Sequence, residues 1–286
     1  MKPLDKESIF HILLFLCAVI TVAFVGVMIV YLFVAGIPAI REIGIGEFLF
    51  GDEWKPTSEE PKFGILPFVL TSVFGTVGAI IFGVPLGVLC AVFLSKIAPP
   101  KVQAILRPVI ELLSGIPSVV FGLIGMTVLV PFVQKIFRLS SGANLFSSII
   151  VLSVMILPSV INVSENALRS VPKEYEQGSY ALGADKVETI MKVSIPSAKS
   201  GIVASIVLGI GRSIGETMAV MMVSGNVANM PSLFKSVRYL TTAISGEMAY
   251  SSGLHRKALF SIALVLLMFL IIINIACRLG LRQGRK

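Results

Sequence analysis

The sequence predicts an all-α integral membrane protein, one domain of six transmembrane helices with both termini in the cytoplasm. Three observations predict it. Mean hydropathy is +0.92 and only 14% of the 286 residues are charged, too few to solvate a globule of this size. Six stretches, roughly 9–35, 67–95, 109–134, 146–168, 200–225 and 258–278, reach the ~20 apolar residues that a helix needs to cross hydrocarbon. With the N-terminus inside, fourteen Lys and Arg fall in cytoplasmic segments and nine in outer ones, the bias of a positive-inside topology. The ten-residue alternation of a membrane barrel is absent.

The elements follow in order. The first stretch exceeds the ~7–15 apolar residues of a signal-peptide core, so it reads as a retained anchor. With the outer loop it forms a first segment, 1–66, ahead of a five-helix core, 67–280, and a cytoplasmic tail, 281–286. The outer loop carries Glu42, Glu47, Asp52, Glu53, Glu59 and Glu60, and its single Trp54 suits the membrane interface. It reads as a solvated loop or as the contact for a soluble partner outside. Gly75, Gly78, Gly83, Pro85 and Gly87 run through the second span, and Ser114, Gly115, Pro117 and Gly122 open the third. Close helix packing accounts for most of these glycines. Glu111, Asn162, Glu165 and Asn166 sit near span ends, where an interfacial position is the default and no ligand is assigned. Further on, Leu233, Val237, Leu240 and Ile244 share one helical face, which predicts a surface-lying or pore-capping helix at 232–245.

Between the fourth and fifth spans lies a polar insert, RSVPKEYEQGSYALGADKVETIMKVSIPSAK, residues 169–199. Pro172 suits a first helical turn, and Glu174 and Glu176 favour its positive dipole end. Gly183 supplies a left-handed helix stop. A second short helix is expected from about Asp185 to Lys192, with Val187, Ile190 and Met191 on one face, until Pro196 stops it. Two short helices with an apolar stripe on the cytoplasmic surface form a docking element.

The fifth span holds two charges. Arg212 and Glu216 are four apart, on one face of a continuous helix and within pairing distance. Each costs ~2.5–3.5 kcal/mol at a helix centre, so both must face the bundle interior or a wet cavity. Ser205, Gly209 and Ser213 form a small-residue stripe, as do Gly211 and Gly215. Either the charges form a structural ion pair joining two helices, or they line a polar pathway for a solute.

Several functions are excluded. The net charge of +8 reflects topology, because no basic face interleaved with aromatics suggests nucleic acid. Cys17, Cys90 and Cys277 lie in apolar spans as small hydrophobes, and His11 and His255 stand alone, so no metal or cofactor is expected. No G-x-x-x-x-G-K-[ST] loop, catalytic carboxylate pair or nucleophile triad occurs. The chain therefore reads as a non-enzymatic transport channel energised by another subunit.

Gly183, nine residues, then Val193-Ser194-Ile195-Pro196 resembles the cytoplasmic signature of bacterial ABC importer permeases, EAA, three residues, G, nine residues, I-x-L-P. Gln177, Gly178 and Ser179 occupy the EAA positions, with Glu176 one residue early. In addition, RSIGETMAVMMVSGN (212–226), LTTAISGEMAY (240–250) and SGLHRKALF (252–260) are similar to phosphate-importer permeases of the PstC type. The resemblance covers most of 64–280 and implies a MetI-like permease bundle in the inner membrane. It implies that Glu176, Gln177, Gly178, Gly183, Ala184, Val193, Ile195 and Pro196 couple to the ATPase. It places Arg212, Glu216 and Thr217 on the substrate pathway. The implied partners are a homologous PstA-like permease, two copies of a PstB-like ATPase, a PstS-like phosphate-binding protein outside, inorganic phosphate and membrane lipid. Importers of sulfate or molybdate, or a stand-alone secondary transporter or channel using Arg212 and Glu216 as an ion relay, are the competing readings. A signalling role reporting phosphate supply would be additional.

Overall fold

The structure is a computed structural model that describes the backbone of residues 6–283 and the side chains of 10–276. Lys2, Arg285 and Lys286, the side chains of Lys6, Cys277, Arg278 and Arg282, and most of the expected tail, therefore lie outside the described residues. The chain begins with helix α1 (Lys6–Ile43) and a short α2 (Ile45–Phe50). A two-stranded hairpin follows, β1 (Trp54–Lys55) against β2 (Lys62–Phe63), with Trp54 opposite Phe63. Then comes α3 (Leu66–Val92), extended by a π turn over Phe93–Ile97. Helix α4 (Pro100–Gly115) ends before Pro117, and α5 (Ser118–Ile124) runs through a second π turn into α6 (Val130–Phe137). Helix α7 (Leu145–Arg169) leads to α8 (Lys173–Ala181), α9 (Lys186–Thr189), a third π turn and the single turn α10 (Ile195–Ser197). The remainder is α11 (Lys199–Gly215), α12 (Met218–Val223), α13 (Leu240–Glu247) and α14 (Gly253–Gln283).

Among the described residues five segments are long and apolar enough to cross a membrane, and a bent pair, Lys186–Ser197 with Lys199–Gly215 angled at 68°, makes six if it counts as one span. Five or six candidate spans agree with the expected helical bundle, with three corrections of detail. The third span runs over Ser118–Phe137 and not 109–134, because Ile116 and Pro117 are extended and end α4 at Gly115. The fifth is interrupted after Gly215 instead of running unbroken to 225. Pro196 does not stop the insert's second helix. The chain stays helical through it, a π turn over Ile190–Ser194 leading directly into Ile195–Ser197, and bends after Ser197 into α11.

The most buried span is α7, packed along α3. Small residues permit this approach. A Cβ at Gly78, Gly83 or Gly87 would lie 2.6–2.7 Å from Ile149, Ile156 and Val160 of α7. In lipid, where tails are as apolar as leucine, such close backbone packing is the main attraction between helices. The stripe Ser205, Gly209 and Ser213 is buried as expected, and Ser164 Oγ and Ser205 Oγ lie 2.8 Å apart between α7 and α11. A Cβ at Gly211 or Gly215 would meet nothing within 4 Å among the described residues, so this second stripe makes no close helix contact within the chain.

At one end Ala39, Phe48, Trp54, Phe63, Ile65, Phe68 and Leu259 form a core that seals α1, the hairpin, α3 and α14 together. At the other, Ala91, Val92, Leu168, Val171, Ile190, Ala198 and Ile202 bind the insert to the ends of α3, α7 and α11. Trp54 is thus 7% exposed in a core and not at a lipid interface. The predicted helix at 232–245 is shorter, because only Leu240–Glu247 is helical. Val237 pairs instead with Gly225 in a bridge, its N–H donating to Ser224 O at 2.9 Å.

Candidate functional site: a broken span and its cytoplasmic insert

Helix α11 ends at Gly215, and Glu216 adopts an extended conformation with ψ 133°. This break decides where the two span charges go. Arg212 and Glu216 do not pair, contrary to the expectation from i,i+4 spacing, because the helix that would align them stops between them. Arg212 Nη1 donates to Ser159 Oγ of α7 at 3.0 Å. Glu216 turns the other way, where its Oε1 accepts the Ala219 N–H at 3.1 Å and caps α12. Its own carbonyl, released from the helix, accepts the Thr241 hydroxyl at 2.7 Å. Thr217 lies in the break and donates to Gly215 O at 3.3 Å. Irregular backbone at membrane depth survives only where protein or water satisfies it, and these contacts supply the protein partners.

Arg212 therefore has a neutral partner. It borders a groove of about 540 Å³ with Ser159, Ala204, Val207, Leu208, Gly211 and Asn274, which bring α7, α11 and α14 together. Ser159 and Asn274 escaped sequence reading, since no spacing relates them to Arg212. The second broken element, α5, packs on α12, where a Cβ at Gly122 would lie 2.8 Å from Met222 Sδ and 2.9 Å from Ala219 Cα.

The insert divides into an inner and an outer side. Asp185 caps α9 by accepting the Glu188 N–H at 2.7 Å, and Gly183 takes φ +89° as its stop position requires. Pro172 occupies the N-cap position just ahead of the first turn. Glu176 points inward. It accepts from Lys96 Nζ at the end of α3 and from Ser194 Oγ at 2.8 Å. Burial pushes its carboxyl upward, but the hydrogen bonds from Lys96 and Ser194, with the charges of Lys96 and Lys173, outweigh this and hold it below the ordinary carboxylate value. Ala184, Val193 and Ile195 are half-buried, and Ile195 and Ile190 pack into the bundle. Gln177, Gly178, Gly183 and Pro196 are exposed. The expected apolar stripe is split: Ile190 is buried, while Val187 and Met191 join Tyr175, Tyr180 and Leu182 on the outer side, with Leu182 91% exposed.

Glu111, Asn162, Glu165 and Asn166, expected to be merely interfacial, line a polar pocket of about 320 Å³ with Arg107 and Arg169. Glu165 is buried and accepts from Arg107 Nη2 at 2.8 Å and Arg169 Nε at 3.0 Å. The Glu165–Arg169 pair is readable as i,i+4 spacing, whereas Arg107 comes from α4 and is not. His255 is likewise not alone, its Nε2 lying 2.8 Å from Glu247 Oε2.

Comparison with known proteins gives this geometry a family. Residues 83–279 match the family described as "Binding-protein-dependent transport system inner membrane component". The chain is 42% identical over 256 residues to the "Probable ABC transporter permease protein YqgH" of Bacillus subtilis (strain 168), covering 88% of this chain and 83% of that protein. It is 33% identical over 265 residues to the "Phosphate transport system permease protein PstC" of Pasteurella multocida (strain Pm70), covering 84% and 82%. Among solved structures, a bacterial alginate ABC transporter, crystallised with an alginate-bound periplasmic protein, superposes with a TM-score of 0.64 at 13% identity, covering 96% of this chain and 95% of that one. The MetNI methionine ABC transporter, in an inward-facing conformation, superposes at 0.59 and 20% identity, covering 77% and 95%. These last two likenesses carry the fold alone. The chain belongs to the binding-protein-dependent transport system inner membrane components, the transmembrane permeases of ABC transporters.

Proposed function

We propose that this chain is one of two related pore-forming permeases of an ATP-driven importer of inorganic phosphate. Proteins named as phosphate permeases of the PstC type align over most of its length. The single observation that carries the substrate reading is the Arg212–Ser159 bond. A guanidinium in a membrane-spanning helix, whose hydrogen-bond partner among the described residues is a neutral hydroxyl, brings positive charge to a groove. A phosphate anion supplies the opposite charge, and the planar fork of arginine suits its oxygens. The Ser159 hydroxyl, accepting from Arg212, keeps its own proton to donate to the same anion. A neutral resting partner also keeps the empty site weak enough to release what it binds.

Power comes from outside the chain. The outer side of the insert, Tyr175, Tyr180, Leu182, Val187 and Met191, presents exposed apolar surface of the kind that docks on a partner. We assign it to a cytoplasmic ATPase, two copies of which would drive the pair of permeases. Glu176 is given a different task from the exposed residues around it, namely to anchor the insert to α3 through Lys96. Both termini are cytoplasmic in this reading, and a soluble binding protein delivers phosphate to the opposite face.

The test is ATP-dependent uptake of labelled phosphate into vesicles holding this chain with its partner permease, ATPase and binding protein. Uptake is expected, with no more than weak competition from sulfate or molybdate. Strong competition by either would make the chain a permease for that oxyanion. Uptake by this chain without any ATPase would overturn the ABC reading.

A further inference from the structure

Glu247, at the C-terminal end of α13, is a buried carboxylate where the hairpin, 193 positions away, meets Arg238 and His255 on either side of α13. Its Oε2 accepts from Trp54 Nε1 at 3.0 Å and faces His255 Nε2 at 2.8 Å, while its Oε1 takes the Arg238 guanidinium. Trp54 belongs to the hairpin, and its ring packs edge-on against Phe63, Phe68 and His255. Arg238 lies over the Phe68 ring and donates from Nε to the Asn226 carbonyl at 2.9 Å. Asn226, held at φ +53°, donates from Nδ2 to Met221 O at 2.6 Å, at the end of α12. Helix α13 itself reaches the break through Thr241, whose hydroxyl donates to the Glu216 carbonyl.

Two routes therefore connect one carboxylate to the interrupted span: Glu247–Arg238–Asn226–α12, and α13–Thr241–Glu216. Each link is a part-buried hydrogen bond, partly withdrawn from competition by water. An apolar side chain in place of Glu247 would leave the Arg238 guanidinium and the Trp54 N–H without this acceptor, so the carboxylate serves the connection.

We propose that Glu247 is a positioning residue that ties the outer hairpin to the break at Glu216–Thr217, so that docking of the binding protein on the outer loop is transmitted to the substrate pathway. This rests on the importer reading above and on its orientation, with the hairpin outside.

The assembled transporter in lipid nanodiscs supplies the test, with Glu247→Gln and Trp54→Phe as variants. Phe keeps an aromatic ring in the core and removes only the N–H donor. Two readouts are taken: the ratio of ATPase activity with and without phosphate-loaded binding protein, and amide exchange over residues 216–223. The expected result is basal ATPase within about twofold of wild type, stimulation lowered at least about tenfold, and exchange over 216–223 accelerated at least about tenfold, the scale of one lost charge-assisted bond. Unchanged exchange in Trp54→Phe overturns the proposal whatever the ATPase does. Accelerated exchange with wild-type stimulation also overturns it, because the tie would then be structural only. If Glu247→Gln does not assemble, Trp54→Phe decides alone. If the wild-type complex ignores phosphate-loaded binding protein, the importer reading falls, and the exchange measurement still decides whether the hairpin and the break are connected.

Discussion

Arg212 and Glu216, four residues apart on what the spacing presents as one helix, point to different partners: Arg212 donates to Ser159 on α7, and Glu216 caps α12. The charges are separated by the helix break, and the consequences are testable one residue at a time.

Arg212→Gln removes the positive charge from the groove, and phosphate uptake by the correctly assembled complex is expected to fall at least about a hundredfold. Ser159→Ala leaves the charge but takes away its anchor. A hydrogen bond to a charged group is worth ~1.5–3 kcal/mol, so uptake should weaken by roughly ten- to a hundredfold, chiefly through KM. Normal transport by either variant contradicts the assignment.

Glu216 acts on local structure. Glu216→Gln keeps an acceptor for the Ala219 N–H, so amide exchange over 218–223 should stay close to wild type. Glu216→Ala removes the cap, which costs ~0.5–2 kcal/mol, and should accelerate exchange there by up to about thirtyfold. Equal effects of the two substitutions would mean that charge and not capping is what matters.

Gly122→Ala should destabilise the fold by ~1–3 kcal/mol, because the new methyl meets the backbone of α12 at Ala219, which cannot yield as a flexible side chain can. The midpoint of thermal unfolding in detergent should fall. Gly211→Ala, inside α11 with room for its methyl, should not lower it and should raise stability by up to about 1 kcal/mol.

The insert should loosen in acid. Glu176 has a lowered carboxyl pKa in the folded protein, so its contribution to holding the insert is complete above the ordinary value of 4.5 and is lost as pH falls through the folded value. Limited proteolysis of 173–199 should therefore be flat from neutral pH down to about 5 and rise below that range. Glu176→Gln should show the loosened pattern already at neutral pH, without the acid step.

Much of this protein is written in its order of residues. Six apolar runs, their flanking cations and the glycines of α3 state directly that helices cross a membrane and pack closely, because the hydrocarbon admits little else. The insert is equally legible: Gly183 and Asp185 act through their own backbone and their immediate neighbours, so spacing suffices to place them. What spacing cannot express is contact between distant segments. Ser159 for Arg212, Lys96 for Glu176, Arg107 for Glu165 and Trp54 for Glu247 are separated by between 53 and 193 positions. Each pairing depends on how whole helices are set against one another. The break after Gly215 belongs to the same class. A glycine beside Glu-Thr permits an interruption, but Thr241 and Ala219 stabilise one by satisfying the groups it frees. The sequence by itself determined the spans, the insert and the family resemblance. Only the tertiary structure decided that the span charges part company, because a buried polar group goes where a partner is found and not where helical periodicity alone would put it.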